Sequence, residues 1–191
     1  MRLKSRKAST RKDANRPSEF QEIRQPKVDF IAVPLVTSEN REYVPMALLS
    51  KNIIINNRIS FVADGSLSTF GLLMSKPFNV WNNAISGRLE MRTLISNNLT
   101  YNNFPIPTLT SESKSSIGAA AQKVIDARDQ FPSSTLADLY DAISMPPNLR
   151  KAHNELDLAV MKAFGMRPSL DEEGILSALF KRYEESTRGL P

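Results

Sequence analysis

The sequence predicts an α+β protein, and three observations carry that prediction. Apolar and β-branched runs gather between Val28 and about Pro107, helical spacing takes over from Ser111, and a stretch rich in Pro, Asn and Ser, "YNNFPIPTLTSES", separates them. With 191 residues, 41% of them hydrophobic, the chain has enough apolar surface to build a packed core. The expected organisation is a basic arm or linker over residues 1–27, a mixed β-rich domain over 28–110 and an all-α domain over 111–191.

Taken in order, "VDFIAV" is an apolar run closed by Pro34 and reads as a strand. "NIIINNRISFVAD" is β-branched with Asn punctuation and predicts a hairpin or bent strand pair, and "STFGLLMS" predicts another strand. In "KPFNVWNNAIS", Pro77 suits a first helical position and Phe78, Trp81 and Ile85 share one face, so a short helix is expected. "SGRLEMRTL" leaves that helix as an extended segment.

In the second half, Ile117, Ala121, Val124 and Ala127 recur at helical spacing with Arg128 beside them. "TLADLYDA" offers Thr135 and Asp138 as a capping box. "PPNLRKAHNELDLAVMKAFG" begins on prolines, stops at Gly165, and carries the stripe Leu149, Ala152, Leu156, Val160 and Ala163. The last helix is expected to open on a Ser169–Glu172 capping box and to bury Ile175, Leu176, Leu179, Phe180 and Tyr183.

The net charge of +5 is unevenly placed: residues 1–27 hold nine Lys or Arg against three acids, whereas residues 111–191 hold ten against twelve. A basic arm without an apolar stretch suits contact with phosphates. No cysteine occurs, which excludes disulfides and thiolate chemistry and suits a cytoplasmic setting. A single histidine, His153, disfavours a His-based triad or a multi-His metal site; beside an apolar stripe it reads as a packed, hydrogen-bonded core residue. The seven glycines are spaced too widely for a nucleotide-binding turn or a P-loop. "ESK", Glu112 to Lys114, matches half of a magnesium-nuclease motif but falls in the first turn of a helix without a Pro-Asp partner.

Four separated motifs converge on one family. "FQEIRQPKVDFIAVPLVTSENREYVP", "SGRLEMR", "TYNNFPIP" and "TLADLYDAISMPPNLRKAHNELDLAVMKAFG" resemble the C-terminal third of MmeI-like type IIL restriction-modification enzymes and related adenine methyltransferases. The resemblance implies a target recognition domain followed by a C-terminal helical domain. It further implies double-stranded DNA as partner, a methyltransferase domain of the parent enzyme binding S-adenosylmethionine, and no cofactor or catalysis in this chain.

Candidate site residues follow from both lines of argument. A carboxylate can accept from cytosine N4 while a guanidinium donates to guanine O6 and N7, so Glu90 and Arg92 suit one C·G pair, and the resemblance places them at the family's acid-x-arginine base-reading pair. In an extended segment both would project on one side, with Arg88 sharing it as support. The competing reading is a solvated ion pair worth about 0.2 to 1 kcal/mol. Asn57 and Arg58 fit adenine and guanine respectively, or an ordinary surface turn. Glu39 and Arg41 resemble a motif near DNA, and Lys4, Arg6, Lys7, Arg11 and Lys12 form the basic arm. At Leu94 the family often carries a polar reader, so that contact is expected to be missing or apolar. The alternative function is a protein-docking helical bundle with a disordered basic arm.

Overall fold

The computed structural model describes residues 7–8 and 25–188. Six short strands, designated in chain order, form two antiparallel sheets: β1 (Phe30–Pro34), β3 (Ala47–Leu49) and β4 (Ile59–Val62) in the order β3-β1-β4, and β2 (Val36–Thr37), β5 (Gly87–Leu89) and β6 (Arg92–Leu94) in the order β2-β6-β5. Phe30 to Val33 are buried because β1 is the central strand, which accounts for its unbroken apolar run. Pro34 ends it, where its missing N–H takes nothing from the ladder. After Leu35 the same chain passes into the second sheet as β2.

Two strand expectations change. In "NIIINNRISFVAD" only Ile59–Val62 is a strand; both edges of β1 are already taken, and Ile53 and Ile54 lie exposed in irregular chain. "STFGLLMS" is helix α1 (Leu67–Met74), not a strand. Its local signal is a cap: Ser66 Oγ accepts from Thr69 N at 3.2 Å, and Asp64 in turn accepts from Ser66 N at 2.8 Å. The helical period is hidden because Phe70 to Met74 are all buried, leaving no polar face in its second half. Gly71 sits where α1 presses on its neighbours, since a Cβ there would lie 2.7 Å from Ile117 Cγ2 and 3.1 Å from Leu156 Cδ1. Helix α2 (Lys76–Ile85) follows at once, capped by Ser75 and carrying Pro77 in its first turn, as expected.

A π-helical turn (Asn97–Tyr101) and an extended stretch lead to the helical half: α3 (Ser111–Asp129), α4 (Leu136–Leu139), α5 (Pro147–Ala163) and α6 (Glu172–Thr187). The Thr135–Asp138 capping box forms, and Gly165 takes a φ of 68° after α5, as a helix-ending glycine should. The predicted Ser169–Glu172 box does not: Asp171 caps α6 by accepting from Gly174 N at 2.9 Å, because the helix begins two residues later.

One hydrophobic core runs from Ile31 to Leu179, so the change of composition near residue 110 is not a break in packing. Trp81 of α2 meets Phe180 and Tyr183 of α6 with ring centroids 5.4 and 5.9 Å away. A polar seam crosses the same boundary. Asp157 of α5 accepts from Tyr43 Oη at 2.7 Å and from the first amide of α2, Lys76 N, also at 2.7 Å. Burial raises the Asp157 carboxyl to about pH 6 despite those two donors.

Candidate nucleic-acid interface

The stretch Gly87–Leu94 is a hairpin rather than a single extended segment. Leu89 pairs with Arg92, Arg88 with Thr93 and Gly87 with Leu94, leaving Glu90 and Met91 as a two-residue loop. Glu90 has a φ of 59°, left-handed for a residue with a Cβ, whereas Met91 keeps a negative φ; this is the sign pattern of a type II′ turn, which normally places glycine first.

Alternation about that turn sorts the side chains. Arg88 lies on the inner face: its guanidinium donates to Thr93 Oγ1 at 2.8 Å and to the Asn83 carbonyl of α2 at 2.9 Å, and Thr93 is buried. The expectation that Arg88 shares a side with Glu90 and Arg92 is thus corrected, because the turn at 90–91 reverses the chain between them. Arg88 fastens the hairpin to α2. Arg92 is on the outer face, where its Nη2 donates to Glu90 Oε2 at 2.8 Å, with side-chain exposures of 48% and 77%. Among the described residues neither makes any other side-chain hydrogen bond. The pair is therefore available to an outside partner.

A second candidate turn lies beside it. Leu35 N donates to Arg58 O at 3.0 Å, and Leu35 O accepts from Ile95 N at 2.9 Å. One linking residue thus brings the Asn57–Arg58 turn next to the end of β6. Arg58 N is held by Asn56 Oδ1 at 2.8 Å, and both Asn57 and Arg58 are exposed. Sequence reading missed Leu35, Thr93 and Asn83, the residues that set this convergence; only the alternation of "GRL" and "RTL" about two residues hinted at the hairpin.

Glu39 and Arg41 stand elsewhere. They line a polar cleft of about 280 Å³ with Lys76, Asn79 and Asn83 of α2 and Glu172 of α6. Of the basic arm, Lys7 is exposed, whereas Lys4, Arg6, Arg11 and Lys12 lie outside the described residues. Glu112 and Lys114 are exposed in the first turn of α3. Among the described residues no group of three acidic or histidine side chains is placed to hold a metal, and no helix is long and apolar enough to cross a membrane. His153 is a core residue: its Nε2 lies 2.7 Å from Tyr140 Oη, its ring stacks on Tyr43 at 4.0 Å, and burial beside Arg128 and Arg150 holds its pKa well below the usual value.

A clamped hairpin that holds charged side chains in solvent, with a second polar turn alongside, defines a surface-recognition module carried on a helical base. The family model described as "MmeI, target recognition domain" matches residues 1–108, and "MmeI, C-terminal domain" matches residues 109–191. The chain belongs to the MmeI family and spans these two domains. It is similar to DNA methyltransferase A of Bacillus subtilis (strain 168), with 37% identity over 186 residues, covering 97% of this chain and 21% of the relative. It is also similar to the solved structure of the type IIL restriction-modification enzyme MmeI in complex with DNA, with a TM-score of 0.91 and 36% identity. That match covers 98% of this chain and 25% of the other, so the chain spans about a quarter or less of either relative.

Proposed function

We propose that this chain is the sequence-reading part of a DNA adenine-N6 modification enzyme, with Glu90 and Arg92 reading one C·G pair in the major groove. The observation that carries the reading is the placement of that pair: exposed, bonded only to each other among the described residues, on a hairpin whose underside Arg88 ties to α2. The ion pair alone is worth no more than about 1 kcal/mol to the fold. Redirected to cytosine N4 and guanine O6 and N7, the same groups contribute about 1 to 3 kcal/mol of discrimination against a wrong base.

Asn57 and Arg58 present a second set of donors and acceptors beside β6, suited to adenine and guanine edges. Lys4, Arg6, Lys7, Arg11 and Lys12 supply phosphate contacts that position the duplex without reading it. Glu39 and Arg41, away from the hairpin on the polar cleft beside α2, are assigned a DNA-contacting or supporting role. The chemistry belongs to a methyltransferase domain outside this chain, which flips the adenine and holds S-adenosylmethionine. No residue of this chain is assigned to that cofactor, because its glycines offer no nucleotide-binding turn.

The test is to exchange the two residues together, Glu90→Arg with Arg92→Glu, in an enzyme carrying this chain with a methyltransferase domain, and to map the methylated sites. The expected result is a changed base at one position of the recognised sequence, with the others retained. A recognised sequence identical at every position removes both residues from the reading.

A further inference from the structure

The β5–β6 hairpin also carries apolar side chains that the fold leaves in solvent. Leu89, Met91 and Leu94 are 43%, 70% and 40% exposed. The strand register puts Leu89 opposite Arg92 and Leu94 opposite Gly87, so these leucines flank Arg92 on the outer face, while Met91 stands at the apex next to Glu90. On the β5 side Leu94 faces only Gly87, where even an added Cβ would meet nothing within 4 Å, and its other cross-strand neighbour is Val36 of β2. Glu90 holds the apex in a left-handed conformation, the one non-glycine φ of that sign among the described residues. A turn shaped for stability alone would place glycine there. This one instead keeps two long side chains and bears the strain, the pattern of a backbone retained for what it presents.

We propose that Met91, with Leu89 beside it, packs against the C5-methyl group of a thymine in the base pair adjoining the C·G pair read by Glu90 and Arg92. The inference rests on the base-reading proposal and deepens it by adding a neighbouring specificity position. Its chemistry follows from the mixed character of the hairpin surface. An apolar protein partner would cover the leucines and methionine but would strip water from the Glu90–Arg92 pair without replacing its hydrogen bonds. The major-groove edge offers both kinds of partner: donors and acceptors for the charged pair, and the thymine methyl for an apolar side chain. Methionine suits such a contact because its unbranched, polarizable chain adapts to the groove.

The experiment selects duplexes bound by this chain from a randomised library at low salt, then replaces each thymine of the selected site singly with deoxyuridine, which removes only the methyl group. One thymine, next to the pair whose identity follows the Glu90–Arg92 exchange, is expected to lose about four-fold in affinity, the scale of one buried methyl. Met91→Ala should abolish that difference and Met91→Leu should keep it; both substitutions fall at one exposed position and leave the core untouched. If the Glu90–Arg92 exchange changes a base but every thymine tolerates loss of its methyl, or no thymine adjoins that pair, this inference is overturned and the base-reading proposal stands. If no sequence is selected at all, both fall.

Discussion

The seam between the two halves and the tip of the β5–β6 hairpin use similar side chains to opposite ends. In the seam, Arg128 of α3 donates to Tyr140 Oη and to the Met46 carbonyl, and lies over the Phe70 and Tyr140 rings at 5.5 and 4.8 Å. Each of the three guanidinium nitrogens has a partner in the protein, Nη2 reaching Met74 Sδ as well as Tyr140 Oη. At the hairpin, Arg88 is likewise tied inward, but Arg92, four residues on, bonds only Glu90 among the described residues. Hydrogen-bond partners, not burial, therefore separate structural arginines from one that can be redirected, since Arg88 is exposed like Arg92 yet tied to Thr93 and Asn83. Residue type alone does not.

The sharpest way to break the comparison is at Arg128. Arg128→Ala leaves Tyr140 Oη and the Met46 carbonyl without their donor in a largely dry site, and should cost about 4 kcal/mol. Chemical denaturation would register this as a lowered midpoint, and an unchanged midpoint would mean the seam does not hold the halves together.

Asp157 gives a smaller, pH-dependent effect. Its carboxyl titrates near pH 6 in the fold against an ordinary value of 3.8, so the folded chain binds this proton more tightly than the unfolded one. Its contribution to stability is consequently greatest below about pH 4 and declines as pH rises through 6, by up to about 3 kcal/mol. Asp157→Asn can still accept from Lys76 N, and its stability should change less than wild type between pH 4 and 6. Parallel stability curves for the two proteins over that range would contradict the assignment.

The smallest effect is at the hairpin. Glu90→Gly should relax the left-handed turn and lose only an exposed ion pair, leaving a net gain of about 0.5 kcal/mol or a null change. A loss of more than about 1 kcal/mol in thermal or chemical unfolding would show that Glu90 has a structural role like the arginine of the seam.

Local signals were readable in the sequence. Pro77 opens α2, Thr135 and Asp138 cap α4, and Gly165 ends α5 as their chemistry requires. The period of Ile117, Ala121, Val124 and Ala127 marked the buried face of α3. Reading failed where burial hid the period, as in α1, and where a propensity had no partner, as in the exposed Ile53 and Ile54. At the candidate site, Glu90 and Arg92 were recognisable as an acid and a base with complementary hydrogen-bonding capacity. The turn that separates Arg88 from them was not, because Glu-Met is not a sequence that announces a two-residue hairpin.

The sequence by itself determined the α+β class, the ends of most helices and the supply of charged side chains, because these depend on residues within a turn or two of one another. Tertiary structure alone decided that Leu35 would join the Arg58 turn to β6, that Val36 would pair with Leu94, and that Arg88 would point inward. The physical reason is range: a hydrogen bond between residues 23 or 60 positions apart depends on where the rest of the chain has packed, and no local preference encodes it.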